Sequence, residues 1–255
     1  MNKKKSISAS PPKGKSFKKY LLEGLMIFIA IVLGFISENI RSDLAEKKMT
    51  REFALSMISD LQSDTTNLKY TMSYFRQANK NIDSLNTLLL KNNFNNIPSG
   101  KLYFYGLWGG ANEHYVSNDA TFQQMRNSGL LRDVKNKSLL KKILNYDRLN
   151  REYQQEMALD NLFQIEVRKL RGQIFDYKYN RVSNTILQHS KRSNNQQEID
   201  AFLQSDPPLL TYDPVVFNQY MEMVRSRKFE ITVIDLERLL KNAEELISAL
   251  KKEYE

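Results

Sequence analysis

Five residues able to engage a ligand or a partner fall in one short stretch. They are Tyr103, Tyr105, Trp108, His114 and Tyr115, within KLYFYGLWGGANEHYVS (101–117). Aromatic rings with a polar edge can line a ligand or glycan site, or anchor a partner surface. The same rings can instead plug the end of a helical bundle, and that is the preferred reading of most of them. His114 stands beside Glu113 and Tyr115, and a lone histidine there reads as satisfied or solvent-facing rather than catalytic. His189 lies in a polar tract and reads as exposed.

Other reaction chemistries lack their residues. Cysteine is absent, which excludes disulfides, thiolate metal sites and cysteine nucleophiles. Two histidines are too few for a multi-histidine metal centre. Gly106 and the Gly109-Gly110 pair lack the spacing and the following lysine of a phosphate loop, and neither HExxH nor GxSxG occurs. Carboxylates are plentiful, but no spacing singles out an acid/base pair. The sequence therefore predicts no catalytic residue, no cofactor and no metal. The alternative kept beside this is an enzyme or small-ligand-binding domain with its site near 103–128.

The elements that position these residues read as helices. Only nine glycines and six prolines occur in 255 residues, which disfavours a loop-rich all-β fold. The formal charge is +9, yet Lys3, Lys4, Lys5, Lys13, Lys15, Lys18 and Lys19 carry most of it, with no acid among the first 19 residues. The rest holds 31 basic against 29 acidic side chains, which is not a nucleic-acid-binding body.

Next comes LLEGLMIFIAIVLGFI (21–36), charged only at Glu23. The unbroken run from Gly24 to Ile36 is 13 residues, and the helix extends from Tyr20 to Ile40. A bilayer core needs roughly 20 helical residues. A transmembrane helix is the preferred reading, with Lys18, Lys19 and Tyr20 as an interfacial collar. A cleaved signal peptide would share the basic start, but no small-x-small site follows in SENIRSDLAEKK. A buried core helix would usually carry a polar stripe. Basic flanks stay cytoplasmic, so residues 1–19 are predicted to be a disordered basic cytoplasmic tail, 20–40 the membrane helix, and 41–255 extracytoplasmic. The tail reads as a topogenic flank rather than a lipid-binding device.

No glycine or proline interrupts 37–90. Leu61, Thr65, Leu68, Met72, Phe75, Asn79, Ile82, Asn86 and Leu89 form a stripe of coiled-coil, heptad type, so the membrane helix is expected to run on. NNFNNIPSG (92–100) ends it. Residues 101–117 are either helical with a bend at Gly109-Gly110, which is favoured, or a small strand. Asn118 or Asp119 caps the next helix, which closes at Gly129. A long helix over about 136–177 carries Leu139, Ile143, Tyr146, Leu149, Tyr153, Met157, Phe163, Val167, Leu170 and Ile174. Residues 178–212 read as a polar loop with a short helix at 196–204. Asp213-Pro214 starts a last helix reaching about Glu253, with Leu236, Leu240, Ala243, Ile247, Leu250 and Tyr254 on its apolar side. The fold class expected is all-α: one N-terminal transmembrane helix continuing into an elongated antiparallel helical bundle.

Several of these segments resemble a group of single-pass membrane proteins of Bacteroidota of uncharacterised function. The resemblance covers about 20–150. It rests on Gly34, Glu38, Asn39 and Arg41 at the end of the apolar helix, then on Asp60, Leu61, Asp64 and Thr65. It continues with the tyrosines around Tyr103 and Tyr105, then Asn118, Asp119, Thr121, Gln124, Ser128 and Gly129, and ends at Asn145, Tyr146 and Asp147. It implies an inner-membrane protein with a helical periplasmic domain and brings no activity. The function expected is a membrane-anchored interaction, scaffold or sensor-like module. Its partners would be the lipid bilayer and either another protein or a second copy, since the impure stripes leave room for one.

Overall fold

The computed structural model describes residues 17–193, 196–227 and 229–255, with the side chains of 189–193, 230 and 231 outside that description. Of the basic tail expected over 1–19, residues 1–16 lie outside the described residues, as does the side chain of His189. The described chain is all-α, without a strand. It divides into two units, Met1–Glu52 and Phe53–Glu255.

Helix α1 (Phe17–Lys91) is continuous for 75 residues. No glycine or proline within 37–91 stops propagation, and Gly24 and Gly34 have nothing within 4 Å that would make their missing side chains matter. In the first unit the apolar residues from Leu21 to Ile36 are all exposed. One 18-residue window of α1 has a mean hydropathy of 2.2, and none of it is buried in the protein.

The second unit holds the remaining helices, α2 (Ser99–Gly106), α3 (Ala120–Ser128), α4 (Lys137–Ile174), α5 (Tyr177–Ser193), α6 (Gln196–Gln204), α7 (Pro214–Ser226) and α8 (Phe229–Tyr254). Cross-helix pairs give the directions. Lys69–Glu244 and Arg76–Glu237 link α1 to α8 antiparallel. Asn136–Glu253, Lys142–Glu245 and Asn145–Asn242 link α4 to α8 antiparallel, so α1 and α4 run the same way. These pairs are exposed and each contributes little, ~0–1 kcal/mol; buried apolar side chains supply most of the stability.

The core stripe of α1 runs Leu61, Asp64, Leu68, Thr71, Phe75, Ala78, Ile82 and Leu85, with Met72 alongside. The heptad thus steps three and then four. Thr65, Asn79 and Asn86, expected in the stripe, lie one residue beyond its true positions; Thr65 and Asn79 stand at the edge of the core and Asn86 is exposed. The same shift occurs in α8, where Leu239 and Leu246 are buried and Leu240 and Ile247 only flank them.

Three helix boundaries differ from the sequence reading. The polar tract after 177 is helical, because Tyr179, Ser183, Ile186 and Leu187 recur at helical spacing and pack inward; a serine at the centre of that stripe hides it. The last helix is divided, with α7 ending at Ser226 and α8 beginning at Phe229, and Arg227 after α7 carries its side chain into the core. Helix α4 ends at Ile174 rather than near 177, and Asn136 caps its start, accepting from Ser138 N at 3.1 Å and Leu139 N at 3.2 Å. Gly129 closes α3 at φ +81°, as its sequence position predicts.

Candidate functional site

Asp60 and Asp64 stand one turn apart on α1 and therefore share a face. The chain between the 3₁₀ turn Leu107–Gly110 and α3 has no regular secondary structure, and it passes across that face. Its Asn118 ties the two carboxylates together. The backbone N–H of Asn118 donates to Asp64 Oδ1 at 2.8 Å, and its Nδ2 donates to Asp60 Oδ1 at 2.9 Å.

Asp60 also accepts from Thr121, from Oγ1 at 2.5 Å and from N at 3.4 Å. That N–H belongs to the first turn of α3, where helical donors have no partner within the helix. Asp60 therefore caps α3 from a different helix, and its charge complements the positive end of the α3 dipole. The cap expected from the side chain of Asn118 or Asp119 is not made; Asp119 instead accepts from Gln123 Nε2 at 2.8 Å.

Behind Asp60 the network goes dry. Asp64 is only 1% exposed. Tyr146 of α4 donates its hydroxyl to Asp64 Oδ2 at 2.8 Å, and the hydroxyl of Tyr115 lies 3.0 Å from that of Tyr146. With the Tyr146 proton committed to Asp64, Tyr115 is the donor of the second bond. Burial raises the Asp64 pKa above its ordinary 3.8; the Asn118 N–H and the two tyrosines partly offset this, and the neighbouring Asp60 adds to it. Burial likewise pushes both tyrosine hydroxyls well up, with the Asp64 charge adding to the rise. A cavity of about 130 Å³ adjoins the network, with Asp119, Asp147 and Arg151 among its lining residues. The arrangement clamps three helices around a chain of hydroxyl protons ending on a carboxylate.

A pH dependence follows. A carboxyl whose folded-state pKa is raised contributes stability that is fully present below its unfolded value and is lost as pH rises through the raised value. Asp64→Asn removes that contribution. The stability of wild type relative to the variant should therefore fall as pH is raised from about 4 towards neutrality, in urea titrations of the full chain. Parallel profiles would contradict the buried-carboxyl description.

The five residues singled out in 103–115 do not form one cluster. Tyr103 is buried against Phe175 and Tyr179; its hydroxyl donates to Pro208 O at 2.8 Å and accepts from Asp176 N at 2.9 Å. Burial moves its pKa up to about 12. Tyr105 and Trp108 both line a cavity of about 610 Å³ between α1, α2 and α6. His114 is exposed, and Tyr115 belongs to the Asp64 network.

The sequence reading missed one deeply buried pair. Arg227 Nε and Nη2 meet Asp160 Oδ1 and Oδ2 at 2.9 and 2.5 Å, and Nη1 donates to Gly109 O at 2.9 Å and Ala111 O at 2.7 Å. Asp160 and Gln164 occupy the inward face of α4 where Phe163 was expected; Phe163 is 40% exposed. Nothing in the periodicity marks a charge as inward-facing, since the partner lies 67 residues away.

Among the described residues no three His, Cys, Asp or Glu side chains are arranged to hold a metal ion. Comparison of the chain with protein-family models, curated proteins and solved structures finds no match.

Proposed function

We propose that the chain is a single-pass protein of the cytoplasmic membrane whose helical domain lies on the periplasmic side and acts by binding, as a scaffold or sensor-like module. One observation carries the reading. The apolar side chains of 21–36 all face outward on a helix with no protein against them. An uncovered apolar surface of that length in water is costly, and a bilayer covers it. Glu23 sits at the basic end of the run, within reach of an interface. The lysine excess before the run supports an inside amino terminus.

The binding role draws support from α4. Leu159, Leu162 and Phe163 recur at helical spacing and stand exposed on a helix whose other face is buried. Such a row suits helix-on-helix contact with a protein partner or a second copy, packed in coiled-coil fashion. We propose likewise that the chain belongs to the Bacteroidota group. The assignment is supported by the way its separate motifs meet, Asp60 and Asp64 with Asn118, Thr121 and Tyr146, in one hydrogen-bonded network.

Alkaline carbonate extraction of membranes tests the anchor. Retention in the pellet is expected, and release into the supernatant would contradict it.

A further inference from the structure

The last turns of α4, the start of α5 and the 3₁₀ turn Leu107–Gly110 line a third cavity, of about 440 Å³ and open to solvent. Arg168, Arg171 and Arg181 all line it, and no aspartate or glutamate does. Several other arginines of the second unit have carboxylate partners: Arg76 with Glu237, Arg148 with Glu152, Arg225 with Glu222 and Arg238 with Asp235. These three have none among the described residues. Glu166, two residues before Arg168, is taken by Lys169 at 2.7 Å.

Arg171 is held in place. Its Nη1 donates to Leu107 O at 3.3 Å, and it lies so close to Gly110 that a Cβ there would stand 2.7 Å from it. That leaves most of its five N–H donors without a carboxylate to receive them. Burial, aided by the repulsion of Arg168 and opposed by Tyr220, lowers its pKa. Bringing guanidinium groups together without a counter-charge is unfavourable unless an anion joins them.

Two further groups on the same wall lack partners. The indole N–H of Trp108, a residue only 4% exposed, and the amide Oδ1 of Asn180 are buried without a hydrogen bond among the described residues. A buried donor left unmade costs about 1–3 kcal/mol. Three guanidinium groups therefore share one space, beside a wall that carries two buried polar atoms without partners among the described residues.

We infer that this cavity binds a phosphate monoester group, with Arg168, Arg171 and Arg181 neutralising it. Guanidinium forks match pairs of phosphate oxygens, and three of them suit a dianion better than a single carboxylate. The volume exceeds that of the bare ion and falls in the range of small-molecule sites, roughly 300–1,000 Å³. The inference does not rest on the membrane anchor. The phosphate can belong to a free small molecule or to a lipid headgroup, and the chemistry of recognition is the same.

Trp108 is the one tryptophan in the chain, so its fluorescence reports on this wall. The full chain in neutral detergent is titrated with inorganic phosphate, against sodium chloride at equal ionic strength, and separately with micelles carrying phosphatidic acid. A saturable change with either phosphate source and not with chloride is expected. Arg171→Gln and Arg181→Gln should each weaken it by about tenfold or more, with the far-ultraviolet circular dichroism unchanged. If Arg171→Gln fails to fold, the exposed Arg181 carries the test. A response to inorganic phosphate assigns a free ligand, and one confined to phosphatidic acid assigns a lipid headgroup. No saturable response to either source, or one that survives Arg181→Gln unchanged, overturns the inference.

Discussion

Replacing Arg227 by methionine is expected to lower the unfolding free energy of the helical domain by about 3–5 kcal/mol, the cost of leaving a buried charge without its partner. The side chain of Arg227 is 0% exposed and that of Asp160 8%. Both charges were taken out of water on folding, and their attraction offsets that cost only while both are present. Arg227 also serves the carbonyls of Gly109 and Ala111, which become orphans on the wall carrying the aromatic segment. The double variant Asp160→Leu with Arg227→Met removes the stranded carboxylate. It should recover a large part of the loss, leaving chiefly the two carbonyls unsatisfied. Urea denaturation of the full chain in detergent, followed by circular dichroism, gives the three free energies. Equal losses in single and double variants would show that the ion pair is not what holds α4, α7 and the 3₁₀ turn together.

The second large effect concerns the first unit. Phe28→Arg combined with Val32→Arg places two charges one turn apart near the middle of the apolar run. Each costs about 2.5–3.5 kcal/mol at a helix centre in a bilayer, so together they cost about 5–7 kcal/mol and should move the protein from the carbonate-resistant pellet to the supernatant. Neither side chain is buried in the protein. The urea midpoint of the helical domain should therefore not change. A variant that stays in the pellet would contradict the bilayer as the partner of this surface. One that loses the helical domain's stability would mean that the run packs against protein.

The sequence made the class of the fold legible, and the reason is periodicity. Apolar residues at Leu61, Leu68, Phe75 and Ile82 are far enough apart, and similar enough, to define a helix face. The intermediate positions are misplaced by one residue because the stripe is counted in steps of four and then three, whereas the core follows three and then four. Counting from Leu61 in that order passes over Asp64, Ala78 and Leu85 and lands on Thr65, Asn79 and Asn86. Asp64 is buried because Tyr146 and Asn118 satisfy it, and both come from distant parts of the chain. For the same reason Phe163 is expected on the apolar side of α4, where Asp160 and Gln164 face inward instead.

The aromatic segment shows a different limit. Residue types identified Tyr103, Tyr105, Trp108, His114 and Tyr115 as capable of recognition, but the 3₁₀ turn at Leu107–Gly110 distributes them over separate environments. Tyr103 goes to an aromatic core and Tyr115 to the carboxylate network, so their hydroxyls are spent on internal bonds. Trp108 keeps an indole N–H buried without a partner among the described residues, in a side chain that lines two cavities. The arginines lining one of these cavities come from α4 and α5. Helix α5 had been read as loop, so their convergence had no signature in spacing.

The absence of cysteine makes the topology directly measurable. Single cysteines are introduced at Ser10 and at Ser63, the latter exposed on α1 beyond the apolar run. Spheroplasts are then treated with a membrane-impermeant maleimide before and after lysis. A chain that crosses once with its amino terminus inside is labelled at 63 in intact spheroplasts and at 10 only after lysis. Labelling of both positions before lysis, or of position 10 alone, would contradict the membrane-anchored account.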